Sequence, residues 1–190
     1  MKSVKKMGST AIKQEAKGLQ ALAEKLDHNF DSAVEILKNR RLVIFTGIGK
    51  SGYVAQKLAA TFTSMGTPAI FLHPVEAAHG DLGIITPEDA LIALSRSGKA
   101  SELYPVVNFA WNNKVPAIFM TENNKTSLAD LFDYCLVLPK VAEAWGHAPT
   151  TSTVMQMAYG DALAVVLANL KGYKWEDFQK VHPGGVLNKQ

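Results

Sequence analysis

The sequence has few of the features that mark secreted, metal-bound or membrane-spanning proteins. Its 190 residues include one cysteine, Cys135, so no disulfide can form within the chain and no cysteine-based metal motif exists. Cys135 lies in an apolar run and is predicted to be a small core residue. The N-terminus lacks the apolar core of a signal peptide, and polar side chains interrupt the longest apolar helix, near residues 155–170. We therefore expect a cytoplasmic protein with no membrane partner.

The chain also lacks a strong excess of charge of one sign. Asp, Glu, Lys and Arg make up 19% of the chain, and the formal net charge is only +3. The basic residues are scattered and form no stripe with interleaved aromatic residues, which argues against a nucleic-acid partner. The hydrophobic content of 47% is ordinary for a globular protein, and the length fits one domain with a sizeable core.

Apolar and polar runs alternate along the chain and predict an α/β fold. Five short apolar runs, typical of buried parallel strands, lie at 42–46, 68–72, 90–94, 116–121 and 134–138. Helical spacing of apolar residues predicts helices at 9–26, 30–39, 53–65, 101–114, 128–132, 152–171 and 175–181, and residues 73–81 are predicted to form a long polar loop. The expected architecture is a five-stranded parallel sheet flanked by helices on both faces, a flavodoxin-like three-layer sandwich. Residues 1–190 are predicted to be one domain, with a helical segment at 1–40 and an α/β core at 41–190.

The loop after the third predicted strand, at residues 94–102, has the chemistry of an anion site. Ser95 and Ser97 offer hydroxyl donors, and Gly98 lets the backbone approach a ligand closely. Amide groups at the start of the next helix point outward and favour an anion. A phosphate is the expected ligand. From this loop alone, an alternative fits equally well: Ser101 is only a helix N-cap and Glu102 only a first-turn acid.

A second glycine turn follows the first predicted strand. The pattern Gly-x-Gly-x-x-Gly begins at Gly47 and resembles a dinucleotide site, but the second strand does not end in the acidic residue that would bind the ribose. A nucleoside triphosphate loop would need glycine at position 44, which is Ile44. Neither nucleotide site is therefore predicted. Gly49, Lys50 and Ser51 remain available to an anionic ligand.

Acidic and basic side chains follow several of the predicted strands. Glu102 and Glu143 come after different strands, so both are expected at the same edge of the sheet. His79 lies in a loop rich in Gly and Asp, and no second histidine stands at metal-binding spacing, so no metal is predicted. Together with Lys50, these groups suit proton shuttling on a phosphorylated substrate.

In this order, the motifs resemble those of the SIS (sugar isomerase) domain family, and in particular its D-arabinose 5-phosphate isomerases. The likeness covers the chain from about residue 42 onward. It is most specific at His-Pro-x-Glu-Ala-x-His-Gly-Asp, which begins at His73, and at His-Pro-Gly-Gly, which begins at His182. The resemblance implies an aldose–ketose isomerase that interconverts D-arabinose 5-phosphate and D-ribulose 5-phosphate through an enediol, without a nucleotide or redox cofactor.

The resemblance also implies roles for particular residues. The residues expected to be catalytic are Lys50, His79, Glu102, Glu143 and His182. One glutamate would move the C–H proton, a histidine would move protons between the oxygens, and Lys50 would stabilise the enediolate; which glutamate and which histidine do so stays open. His182 is expected to act at a neighbouring subunit's site in a homotetramer built from dimers. The residues expected to hold the phosphate are Gly49, Ser51, Ser95, Ser97 and Gly98.

Three departures from the family pattern keep other functions open. Ala100 stands where the family usually has Ser or Thr, and the loop at 143–148 is about two residues shorter and carries Trp145 and His147. The paired CBS domains that often accompany these isomerases are not expected. The alternatives are a 6-phospho-3-hexuloisomerase, which is another lone SIS domain, and a sugar-phosphate sensor that binds without turnover.

Overall fold

Five parallel strands form one sheet in the order β2-β1-β3-β4-β5 in the computed structural model, which describes residues 3–184. The strands are β1 Val43–Gly47, β2 Ala69–Phe71, β3 Ala90–Leu94, β4 Ala117–Thr121 and β5 Tyr134–Val137. The helices are α1 Val4–Glu24, α2 His28–Leu37, α3 Gly49–Ser64, α4 Pro74–Ala77, α5 Tyr104–Asn112, α6 Thr151–Leu170 and α7 Trp175–Lys180. Short 3-10 helices lie at Asp81–Ile84, Ser101–Leu103 and Ala129–Leu131. The predicted fold class is confirmed.

Helices cover both faces of the sheet. Every residue of β1 is buried, and successive side chains point to opposite faces, so Phe45 packs towards α3 and α6 whereas Ile44 packs towards α4 and α5. The central strands β3 and β4 are buried in the same way. Burial on both faces explains why these strands read as continuous apolar runs rather than alternating ones.

The helix α6 is long and apolar enough to cross a membrane by length and composition alone. In the fold it packs against α1 and α3 and buries Met155, Leu163 and Leu167 in the core. Gly160 brings it close to α3, because a Cβ atom there would lie 2.4 Å from the Leu58 side chain. Core packing therefore accounts for its apolar character.

Two helices begin a full turn or more before the residue that the sequence pattern predicts. Helix α1 begins at Val4, since Ser3 caps it by accepting a hydrogen bond from the Lys6 amide. Helix α3 begins at Gly49 rather than near residue 53, because Gly49 turns the chain within one residue at φ +60°. Gly52 then lies against the strand, where a Cβ atom would meet the Gly47 carbonyl oxygen at 2.8 Å. The glycines thus serve close strand–helix packing, and Lys50 and Ser51 lie in the first helical turn.

The predictions for residues 73–81, 101–114 and 128–132 were also partly wrong. The expected long loop contains the short helix α4, which begins at Pro74, a residue suited to a first helical turn, and buries Ala77. The helix expected from residue 101 is a 3-10 turn followed by α5, which has a proline in its first turn. Ser101 caps neither of them. The segment 128–132 forms only a 3-10 turn, at Ala129–Leu131.

The strand order places a crevice at one edge of the sheet. From β1 the chain passes to β2 on one side and then crosses to β3 on the other side, with Val43 paired to both Ala69 and Ala90. In such sheets the loops that follow the two diverging strands leave a ligand-binding gap at their carboxyl ends. The two glycine-containing segments that were predicted to bind an anion follow β1 and β3.

Candidate active site

A cleft of about 600 Å³ opens beside the carboxyl ends of β1 and β3. It is lined from four directions: the first turn of α3, the loop after β3, the residues after β4 and β5, and the start of α6. The charged side chains of its wall are Lys50, Arg96, Lys99, Lys140 and Glu122. With four cationic groups and one carboxylate, the cleft favours an anionic ligand.

The loop after β3 is held in a shape that only glycine permits. Gly98 has φ +69°, and a Cβ atom there would lie 2.4 Å from the Asn123 carbonyl oxygen. The Lys99 amide donates to the Ser97 hydroxyl oxygen over 3.2 Å, and Thr121 Oγ1 donates to the Arg96 carbonyl over 3.2 Å. Because the Ser97 hydroxyl accepts from Lys99, its own proton remains available to a ligand in the cleft.

The turn after β1 supplies a second group of donors. Ser51 Oγ donates to Oε1 of the buried Gln156 over 3.2 Å, which fixes the hydroxyl against α6. The other amide atom of Gln156, Nε2, is buried and has no hydrogen-bond partner within the described part of the chain. The Lys50 ammonium lies 6.0 Å from the centre of the exposed Tyr53 ring. An exposed cation and a fixed hydroxyl therefore flank the same wall of the cleft.

Glu143 is held by a dense set of hydrogen bonds beside the cleft and does not line it. Its Oε1 accepts from Ser152 Oγ at 2.5 Å and from Arg96 Nη1 at 2.8 Å. Its Oε2 accepts from the Thr150 and Ser152 amides at 2.9 and 3.1 Å and from Thr150 Oγ1 at 3.1 Å. Burial alone would raise the pKa of Glu143, but the hydrogen bonds from Ser152 and Thr150 outweigh it and hold the pKa below its usual range. The carboxylate thus stays ionised and fastens the start of α6.

Arg96 and Glu122 are functional candidates that the sequence reasoning missed. Arg96 Nε donates to Glu122 Oε1 over 3.1 Å, so one guanidinium connects Glu122 and Glu143. Burial raises the pKa of Glu122, against the opposing effect of Arg96. Their positions in the sequence could have identified them. Arg96 lies within the serine-rich loop, and Glu122 directly follows β4 at the ligand-binding edge of the sheet.

Four of the predicted site residues line this cleft: Lys50, Ser51, Ser95 and Ser97. Glu102 and His79 do not line it; both are exposed, in the 3-10 turn before α5 and in the turn after α4. Since α4 packs against that 3-10 turn, these two residues lie on the same face of the sheet. Glu102 is two residues beyond Ala100, which does line the cleft. Both glutamates follow carboxyl ends of the strands, but they differ in environment, because Glu143 is buried and fully hydrogen-bonded whereas Glu102 is exposed.

His182 lies at the other end of α6. Its ring stacks on Phe178 with centroids 3.8 Å apart, and Nδ1 is 2.7 Å from the Phe178 carbonyl oxygen. Phe178 shares a groove with Val165, which at 1.5 Å per helical residue is about 20 Å along α6 from Ser152 in the cleft. His182 therefore stands well away from its own chain's cleft. Gly185, the last residue of the His-Pro-Gly-Gly motif, lies outside the described residues.

Comparison with known families identifies the class of protein to which the chain belongs. The SIS domain family model matches residues 36–166, so the chain belongs to the SIS domain family. The predicted family is confirmed.

Individual relatives are similar over nearly the whole chain. Arabinose 5-phosphate isomerase KdsD of Yersinia pestis is 40% identical over 186 residues, which are 96% of this chain and 57% of the relative. The chain thus spans little more than half the length of the curated relatives that it matches. The E. coli CFT073 protein c3406, solved in complex with arabinose 5-phosphate, is 34% identical, with a TM-score of 0.88 over 92% of this chain and 95% of that one. A Bacteroides fragilis protein described as a candidate phosphosugar isomerase involved in capsule formation is 34% identical, with a TM-score of 0.89 over 96% and 99% of the two chains.

Proposed function

We propose that the chain is a phosphosugar aldose–ketose isomerase that interconverts D-arabinose 5-phosphate and D-ribulose 5-phosphate through an enediol. The observation that carries this proposal is the cleft at the carboxyl ends of β1 and β3. Lys50 lines it together with three serines, Ser51, Ser95 and Ser97. The similarity to proteins named arabinose 5-phosphate isomerase, and to a protein solved with arabinose 5-phosphate, supports the choice of substrate.

In this proposal the loop after β3 binds the phosphate group. The Ser95 and Ser97 hydroxyls and the amides around Gly98 donate to the phosphate oxygens, and Ser51 adds a donor from the opposite wall when its hydroxyl turns from Gln156 Oε1 to the ligand. Lys50 lies in the first turn of α3, where its ammonium can reach a negatively charged oxygen of the enediolate. Charge complementarity thus serves both the resting substrate and the intermediate.

The two glutamates have different roles in this proposal. Glu143 already accepts five hydrogen bonds, so it has no free lone pair for a substrate proton and acts as a positioning residue. Glu102 is exposed, and within residues 3–184 its carboxylate accepts one hydrogen bond, from the Ser101 hydroxyl at 3.5 Å. We assign the transfer of the C–H proton between C1 and C2 to Glu102 and the transfer between the oxygens to His79 on the same face.

Isomerisation of D-arabinose 5-phosphate, measured as formation of the ketose, tests this function directly. Glu102→Gln should lose on the order of 10²-fold or more in kcat while remaining folded. Ser97→Ala should weaken phosphosugar binding by roughly 1–3 kcal/mol, because it loses a donor to a charged group. The proposal fails if the wild-type protein converts no aldose or ketose phosphate, or if it binds the dephosphorylated sugar equally well.

We further propose that His182 acts at the site of a neighbouring subunit in a homotetramer built from dimers. Its distance from its own chain's cleft supports this proposal, as does an apolar groove between α1 and α6 lined by Leu19, Leu22 and Leu26. Mixing Lys50→Ala with His182→Ala subunits should restore part of the activity, because a hybrid interface can contain one intact site. No recovery despite demonstrated subunit exchange would exclude a shared site.

A further inference from the structure

Glu122 takes no part in the proposed proton transfers, yet it lies in the cleft. It is the one acidic side chain among the cleft-lining residues of the part of the chain that the structure describes. Its side chain is 11% exposed, so it is largely desolvated but still faces the cleft. Oε1 accepts from Arg96 Nε, and no recorded hydrogen bond within residues 3–184 uses Oε2. One carboxylate oxygen is thus held in place, and the other remains available to a ligand.

A main-chain hydrogen bond also holds Glu122 in place. The Glu122 amide donates to the Arg96 carbonyl over 3.1 Å, so the two residues are joined through both main chain and side chain. The Arg96 guanidinium is in turn fixed by Glu143, whose own side chain is 1% exposed. Glu122 is therefore preorganised, and little conformational entropy is lost when a ligand binds to it.

A carboxylate in a cationic cleft discriminates between the two ends of a phosphosugar. It repels the phosphate group, which the serine loop and Lys50 attract, and it accepts hydrogen bonds from sugar hydroxyls. Such charge-assisted hydrogen bonds are stronger than neutral ones and depend on the direction of the hydroxyl. Burial raises the pKa of Glu122, and the hydrogen bond from Arg96 opposes that shift.

We propose that Glu122, positioned by Arg96, binds the hydroxyl groups of the sugar and determines which phosphosugar the cleft accepts. This inference rests on the proposed function in one respect, namely that the ligand is a phosphosugar. The inference requires that the protein binds a phosphosugar, and it does not require that the protein converts one. It predicts that the Glu122 carboxylate contributes to recognition of the sugar part and gives no favourable interaction with the phosphate.

Calorimetric titration with two ligands, D-arabinose 5-phosphate and inorganic phosphate, tests the proposal. Glu122→Ala and Glu122→Gln should each raise the Kd for the phosphosugar about tenfold, the effect of losing one hydrogen bond to a charged group. The Kd for inorganic phosphate should stay the same or fall, because a repelling charge has been removed. Arg96→Lys should show the same selective loss, since lysine keeps the charge but cannot span both glutamates. Glu24→Gln, an exposed change at the end of α1, is the matched control and should bind both ligands as the wild type does.

The outcomes separate this proposal from the proposed function. An equal rise in both Kd values, with an unchanged thermal midpoint, would show a general effect on the cleft and overturn the proposal. An unchanged Kd for the phosphosugar in the Glu122→Ala variant would overturn it as well. If the wild type binds D-arabinose 5-phosphate more tightly than phosphate yet converts no phosphosugar, the isomerase proposal fails, and the selective loss in the Glu122 variants would still support the recognition role.

Discussion

Replacing Glu143 by glutamine tests the hydrogen-bond set at the start of α6. The side chain keeps its size, but one oxygen that now accepts hydrogen bonds becomes an NH₂ group. If the amide oxygen stays on the Thr150 and Ser152 amides, the NH₂ group faces Ser152 Oγ and the Arg96 guanidinium. The serine hydroxyl can rotate and accept a hydrogen bond, whereas the guanidinium carries donors only and cannot.

The expected loss of stability follows from these contacts. A hydrogen bond to a charged group contributes about 1.5–3 kcal/mol, and one such bond, from Arg96, is lost outright. Removing one partner of a buried ion pair costs about 3–5 kcal/mol when the other charge is left uncompensated. Arg96 keeps Glu122 as a partner and is 36% exposed, so the lower range applies. We expect Glu143→Gln to reduce the free energy of unfolding by about 2–3 kcal/mol at neutral pH.

Urea denaturation as a function of pH distinguishes this mechanism from general damage to the loop. The pKa of Glu143 in the folded protein lies below its ordinary value of 4.5, so the stabilisation is present above pH 4.5 and is lost as the pH falls through the folded pKa. The difference between wild type and variant should therefore be largest at neutral pH and shrink in acid. Glu102→Gln, a change of the exposed glutamate, is the control and should unfold like the wild type. Equal midpoints for wild type and Glu143→Gln at pH 7, or a difference that does not shrink in acid, would refute the reasoning.

Four further substitutions, one of them a control, test other parts of the structure by urea denaturation. Gly98→Ala should lower the free energy of unfolding by about 1–3 kcal/mol and weaken phosphosugar binding, since its Cβ atom would meet a backbone carbonyl at 2.4 Å. Gly146→Ala is its control: φ is also positive, at +53°, but the space around the residue is open, so the loss should be only about 1 kcal/mol. Asp89→Ala should lose about 2–4 kcal/mol, because a fully buried carboxylate that accepts from Arg41 at 2.6 Å is removed. Lys57→Ala should lose less than about 1 kcal/mol, since its ion pair with α6 is 40% exposed, and a larger loss would contradict the surface assignment.

Much of the fold could be predicted, because patterns of apolar residues within short segments indicate most of its strands and helices. The strand predicted at 90–94 coincides with β3, since a run of apolar residues between two turns can be buried on both sides only in the middle of a sheet. The start of α3 could not be predicted from the same kind of pattern. In the sequence, Gly49 and Gly52 predict a loop between the strand and the helix. In the fold they instead let the helix begin directly after β1 and pack closely against it. Local composition shows that glycines are needed but not which neighbour approaches them.

The phosphate-binding side of the cleft was also predictable from the sequence. Lys50 and Ser51 follow one strand, Ser95 and Ser97 follow another, and parallel strands bring their carboxyl ends to one edge. The partners of the glutamates were not predictable. Arg96 and Glu122 are 26 residues apart and meet only because β3 pairs with β4, and Glu143 reaches the same guanidinium because β5 follows β4 in the sheet.

The fold class, the family and the residues that could bind a phosphate follow from the order of the amino acids alone, because they depend on periodicity and on motifs within a few adjacent residues. The tertiary structure decided which carboxylate is available for chemistry. It buried Glu143 among five hydrogen-bond donors, left Glu102 exposed, and placed Glu122 in the wall of the cleft. The reactivity of a carboxylate depends on its hydrogen-bond donors and its solvation, and both are set by elements that are distant in sequence and adjacent in space.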